Sequence, residues 1–252
     1  MLKTSLAALG AACMLYGAAS AAPVAVDLST WAADGQGTWN LAPDANSVVQ
    51  TQNGIPGIFF NGEDSQGQSL SGTIEVQQTG DDDFIGFVLG YNAGDIGSED
   101  VNYILIDWKQ RDQSFYGEVA PAGLAISRVT GVLDNGPGAW WHDPSDGVEE
   151  LARATNLGSV GWEDNTVYEF DLVFTDSLIQ VFVNDILEIS LEGSFMNGSF
   201  GFYNYSQANV RYGALTQAVV DPIPLPGAAA FMLTGLGAAA FGRRRAARKA
   251  AA

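Results

Sequence analysis

The chain has 252 residues, with 29 acidic against 11 basic side chains and a formal net charge of −18. That length suits one large domain or two small ones, and 47% apolar content excludes a disordered polyanion. Nucleic acid is excluded as a partner, because phosphate binding needs clustered Lys and Arg on the folded part. Thirty glycines, nine prolines and 11% aromatics point to many turns and many strands.

In chain order, residues 1–21 read as a secretory signal peptide. Lys3 supplies the positive start, Leu6 to Ala19 the apolar stretch, and Ala19-Ser20-Ala21 a small-residue cleavage site. The apolar run is short for a membrane span. Cys13 lies in this leader, so the exported part has no cysteine and cannot lean on disulfides.

The next unit, residues 22–219, reads as strands throughout. Ile74–Gln77, Phe84–Tyr91, Tyr103–Lys109 and Leu124–Thr130 are apolar or alternating runs separated by Gly, Asp and Asn. Tyr168–Phe174, Leu178–Val183, Ile186–Leu191, Gly198–Tyr203 and Val210–Leu215 continue the series, with Asn184-Asp185 as a tight hairpin turn. One β-sandwich is the economical reading. Gly147–Leu157 alone has helix-like composition. The segment from Gly131 to Thr166 holds Trp140, Trp141, His142 and Trp162. Loops of this length carry function or cover a sheet. The tryptophans are expected to cap an open face of the sandwich, and His142 to serve as a structural hydrogen-bonding residue.

The last unit, residues 220–252, is tripartite. Asp221-Pro222-Ile223-Pro224-Leu225-Pro226 breaks regular structure, Gly227–Gly242 is apolar and uncharged, and Arg243, Arg244, Arg245, Arg248 and Lys249 follow. A short apolar segment with a basic cap places the cap in the cytoplasm. This tail resembles the PEP-CTERM sorting signals of bacteria, closest to the VPLPA variant, through Pro222, Pro224, Leu225, Pro226 and the arginine cluster. The resemblance implies a Gram-negative source and an exosortase-type membrane enzyme as partner. It also implies transient membrane insertion through residues 227–242 and delivery to the cell surface or matrix.

With the ends set aside, only Lys109, Arg111, Arg128, Arg153 and Arg211 face all 29 acids. Such a surface repels anionic polymers and attracts divalent cations. Asp81-Asp82-Asp83, directly before an apolar run, places three carboxylates where a cation or solvent must screen them. In an extended arrangement Asp81 and Asp83 share one side and Asp82 the other. Calcium, which takes six to eight oxygens from a flexible loop, fits such a block. Weaker candidates are Glu63-Asp64, Asp95 with Glu99-Asp100, and Asp143 with Asp146. None follows the EF-hand spacing.

A second resemblance covers most of the middle unit. Asp81 to Tyr91, Trp108-Lys109-Gln110, Gly123 to Val129, Trp141-His142-Asp143-Pro144, Gly161-Trp162-Glu163-Asp164 and Gly201 to Gln207 are similar, in order, to blocks of the thrombospondin C-terminal domain family. The resemblance implies a concanavalin-type, lectin-like jelly roll that binds calcium and works in adhesion and matrix contacts. It raises Asp81, Asp82, Asp83 and Asp143 to the leading metal ligands.

Enzyme chemistry finds little support. No Glu-x-Asp-x-x-Glu strand of the laminarinase type occurs, and one histidine without a mature cysteine excludes ordinary zinc sites and serine triads. The expected function is an exported, calcium-binding adhesion or matrix protein, with an extracellular polysaccharide or a surface protein as partner. The alternative is a carbohydrate-binding module for exopolysaccharide, with Trp140 or Trp141 stacking on a sugar. A glycoside hydrolase is the third reading.

Overall fold

The computed structural model describes residues 22–115 and 117–220. The leader and the sorting-type tail, with Pro222, Pro224, Leu225, Pro226 and Arg243 to Arg245, lie outside the described residues. Among the described residues, no helix is long and apolar enough to cross a membrane.

The first half of the chain contributes β1 (Val24–Ala25), β2 (Ala32–Gly35), β3 (Trp39–Leu41), β4 (Val48–Gln50), β5 (Gly57–Phe60), β6 (Gln68–Val76), β7 (Phe84–Tyr91) and β8 (Tyr103–Lys109). A small hairpin of β9 (Gln113–Phe115) and β10 (Glu118–Ala120) precedes β11 (Gly123–Val129). Then come α1 (Pro137–Trp141), β12 (Val148–Arg153), β13 (Tyr168–Phe174), β14 (Leu178–Val183), β15 (Ile186–Glu192), β16 (Ser199–Tyr205) and β17 (Val210–Val219).

These strands build two antiparallel sheets. One runs β15-β14-β13-β6-β17-β4-β3, with β1 added on β17; the other runs β12-β11-β8-β7-β16-β5-β2. Alternation sends Ile85, Phe87 and Leu89 of β7 and Ile104, Ile106 and Trp108 of β8 inward. There they meet Leu70, Ile74 and Val76 of β6 and Phe170, Leu172 and Phe174 of β13. The sandwich needs no disulfide because this core is large and rich in rings.

The outer face of the seven-stranded sheet is also covered. Phe84, Val88, Tyr103, Leu105, Tyr203 and Tyr205 form a second apolar cluster with Ala120, Leu133, Ala139 and Trp140. This explains the nearly continuous apolar runs of β7 and β8: every residue of both strands is buried. The covering layer is the β9–β10 hairpin and the segment around α1, so Trp140 caps the sheet as expected. Trp162 instead belongs to the main core.

Two local readings need correction. Residues 147–157 do not form a helix. Val148–Arg153 is the edge strand β12, paired with β11 and bulged opposite Ile126 and Ser127. Its Glu149 and Glu150 are the charges that keep an edge strand from pairing further. The helical turn lies earlier, at Pro137–Trp141, where proline at the start supplies a preset φ. The strands before residue 68 are two to four residues long, too short for their periodicity to show in the sequence.

The Asn184-Asp185 turn is as read. Both residues have positive φ, 49° and 63°, and Val183 pairs with Ile186, as a two-residue primed turn requires. Asp185→Gly removes a left-handed strain from a side-chain-bearing residue and is expected to raise stability by up to about 1 kcal/mol. Urea unfolding checks this.

Candidate functional site

The acidic block lies in the connection between β6 and β7, and the structure gives its three members different surroundings. Asp83 is buried, and its carboxylate meets the Lys109 ammonium at 2.9 Å. Its backbone N–H donates to Gln207 (3.1 Å), and its carbonyl accepts from the Trp162 indole (3.1 Å). Lys109, at 1% exposure, also donates to the Asp82 carbonyl at 3.3 Å and to the Gln113 side-chain oxygen. Its ammonium stands 4.6 Å from the centre of the Phe84 ring and 5.0 Å from that of Trp140. All three ammonium donors are therefore engaged.

Asp82 accepts from the Gln113 amide at 2.5 Å. Asp81 accepts from Asn53 at 2.8 Å and from Gln78 at 3.3 Å. Burial, followed by the neighbouring Asp83 and Asp82 charges, nonetheless pushes the Asp81 carboxyl above its ordinary range, against the Asn53 hydrogen bond. Negative charge at Asp81 is thus only partly compensated.

A second buried charge group sits under α1. His142 ends the helix in the left-handed conformation, at φ 58°, and is 7% exposed. One ring nitrogen lies 3.0 Å from the buried Asp107 of β8; the other lies 3.0 Å from Glu150 of β12. Arg153 holds Glu150 through contacts of 3.0 and 3.1 Å. Two carboxylate contacts require both ring N–H groups, hence the imidazolium. Burial alone lowers the pKa of His142, but Asp107 and then Glu150 overcome it and raise the value to about 9. His142 therefore ties the covering segment to two strands, in the structural role expected of it.

Asp143 is not brought to the Asp81–Asp83 block as a fellow ligand. Its carboxylate accepts from the Ser145 N–H (2.8 Å) and hydroxyl (2.7 Å), capping the 3-10 turn Pro144–Asp146. Asp146 accepts from the Gly138 N–H at 2.7 Å, and Asp95 from the Asn92 N–H at 2.8 Å. Among the described residues, no group of three His, Cys, Asp or Glu side chains is placed to hold a metal ion. Asp81, Asp82, Asp83 and Asp143 are thus not gathered into one such group. Asp83 has an ammonium as counter-ion, and Asp143 serves its own turn.

The partners Lys109, Gln113, Asp107 and Glu150 were not singled out from the sequence as site residues. A signal existed: Asp107 and Lys109 sit two apart in the apolar strand Tyr-Ile-Leu-Ile-Asp-Trp-Lys, on one face. Charges at those positions of a buried strand demand partners.

This architecture is that of lectin-like β-sandwiches. The carbohydrate-binding module CBM66 from Bacillus subtilis matches with a TM-score of 0.52 and 11% identity, over 75% of this chain and 95% of that one. The exoplasmic/lumenal domain of VIP36, in its Ca2+/Man2-bound form, matches with a TM-score of 0.53 and 13% identity, over 78% and 84%. At such identity the likeness is one of fold.

The sequence goes further. The thrombospondin C-terminal region model matches residues 34–221, and the chain belongs to that family. Human thrombospondin-3 is 26% identical over 204 residues, covering 74% of this chain and 20% of the relative. Bovine cartilage oligomeric matrix protein is 26% identical over 208 residues, covering 74% and 26%. The chain therefore spans only a fifth to about a quarter of the length of these relatives.

Proposed function

We propose that this chain is an exported cell-surface or extracellular-matrix protein of adhesion type. The observation that carries the reading is the family match over residues 34–221, shared with relatives that include a matrix protein by name. The leader and the PEP-CTERM-like tail supply the route, with an exosortase-type enzyme acting at the tail.

Calcium has a peripheral place in this reading. With Lys109 neutralising Asp83, the ion is left to the outer carboxylates of Asp81 and Asp82, with carbonyls and water completing its shell. Affinity there belongs in the millimolar range of extracellular modules. The proposal includes no catalysis: Asp107 and His142 are too deeply buried to meet a substrate. Of the two rings considered for sugar stacking, Trp140 is lost to the core of the covering layer. Trp140 is 8% exposed and stacks on Phe115 at 4.7 Å, and Trp141 is half-buried against the same cluster.

Fractionating Gram-negative cells that make the full chain tests the reading. The protein is expected at the surface or in the extracellular matrix. Replacing Arg243, Arg244 and Arg245 together by alanine is expected to move most of it to the inner-membrane fraction. Accumulation of the unaltered chain in the cytoplasm would refute the export reading.

A further inference from the structure

An open cleft of about 410 Å3 shares no lining residue with the two buried charge clusters. Its lining draws on the larger sheet and on residues next to strands of the other. From the larger sheet β1 contributes Val24 and Ala25 and the end of β17 contributes Gln217, and the turn after β5 contributes Asn61 and Glu63. Trp31, Asp27, Thr30 and Gln68 add to the polar and aromatic lining, while Val24, Val26 and Val219 are among its apolar members.

The chemistry of this lining is specific. Trp31 rests on Phe59 and Phe202, with ring centres 5.6 and 5.0 Å away, yet stays half-buried and lines the cleft. Its position is therefore fixed by the core while part of the indole serves the opening. Gln217 donates its amide to Gln68, which orients both side chains and leaves the Gln217 carbonyl oxygen toward other donors. The Glu63 carboxylate accepts no hydrogen bond from the described residues. Asp27 accepts the Ser29 N–H at 2.9 Å, and the Ser29 hydroxyl first and this N–H second lower its pKa and keep it ionised.

Among the described residues no Lys, Arg or His lines the cleft, and two carboxylates do. An anionic polymer is repelled there, the more so on a chain of net charge −18. An apolar ligand would bury these carboxylates and amides without partners, at a cost of ~1–3 kcal/mol for each. A neutral molecule carrying rows of hydroxyls suits both demands. Its hydroxyls donate to the carboxylates and the amide oxygen, and its C–H face lies on the indole. The volume falls within the range of small-molecule sites, ~300–1,000 Å3.

We propose that this cleft binds a neutral saccharide, held by Trp31 as platform and by Glu63, Asp27, Asn61 and Gln217 as hydrogen-bonding groups. The proposal goes beyond the adhesion reading and does not depend on it, nor on calcium.

The test is a titration of the purified chain with cellohexaose, laminarihexaose and maltohexaose, followed by tryptophan fluorescence and by amide chemical shifts. Oligogalacturonate and hexalysine serve as the anionic and cationic counterparts. At least one neutral hexasaccharide is expected to shift the amides of residues 27–31, 61–63 and 217 with millimolar or tighter affinity. Glu63→Ala and Gln217→Ala, both at the surface and away from the core, are each expected to weaken binding by about tenfold. Trp31→Phe, which keeps the packing on Phe59, is expected to weaken it less. The proposal is overturned if no neutral hexasaccharide shifts these residues at millimolar concentration. It is equally overturned if binding survives both alanine substitutions, or if hexalysine occupies the cleft more tightly than any of the sugars.

Discussion

Lys109→Met is expected to destabilise the domain by about 3–5 kcal/mol, because it leaves Asp83 charged and buried without its counter-ion. The ammonium also holds the Asp82 carbonyl and Gln113, and it stands against the Phe84 and Trp140 rings. Its loss therefore loosens the covering layer as well as the acidic block. The double variant Lys109→Met with Asp83→Asn is expected to recover much of the deficit, since the uncompensated charge goes with the second change. Chemical denaturation of the parent, Lys109→Met, Asp83→Asn and the double variant forms the cycle that isolates the pair. A single-variant cost below about 1 kcal/mol would show that the pair contributes no more than a surface ion pair.

The second large effect is alkaline. In the folded chain His142 has a pKa of about 9, above the unfolded histidine value of ~6.5. A raised pKa means that the native state holds the proton more tightly than the unfolded one. This stabilisation is complete below pH ~6.5 and is lost progressively as pH rises toward 9, by roughly 3 kcal/mol in all. The structural cause is plain. A neutral imidazole has one N–H, so one of its two carboxylate contacts, at 3.0 Å to Asp107 or to Glu150, becomes repulsive. Unfolding free energies at pH 6 and at pH 9 measure the drop. His142→Gln is expected to flatten this slope and to be less stable than the parent at pH 6. An unchanged slope in that variant would assign the alkaline loss to other groups.

Much of the fold was legible in the residues, for a reason visible in β7, β8 and β11. A sheet buried on both faces reads as apolar runs, and such runs between glycines and aspartates are hard to mistake. The polar alternation of β6, with Ser69, Ser71 and Thr73 alternating with Leu70, Gly72 and Ile74, was legible only at its apolar end. Edge strand β12 was missed because its charges, which protect an open edge, also suit a helix. The acidic block was legible as a place where charge must be compensated. What compensates it was not, since Lys109 is 26 residues from Asp83 and only the β7–β8 pairing brings them together. Likewise His142 was legible as a structural residue, but its partner Asp107 lies 35 residues away on another strand.

The acidic corner carries its own cation, Lys109, and on the proposed reading calcium binds only at its periphery, outside the core. Thermal unfolding of the protein in millimolar calcium and then in excess chelator tests this most directly. The midpoint is expected to fall by less than about 3 °C on chelation, equivalent to about 1 kcal/mol in a domain of this size. Asp81→Asn is expected to abolish that small shift. A fall of about 10 °C or more on chelation, with the parent's Lys109–Asp83 pair intact, would contradict the claim and make calcium an integral part of the fold.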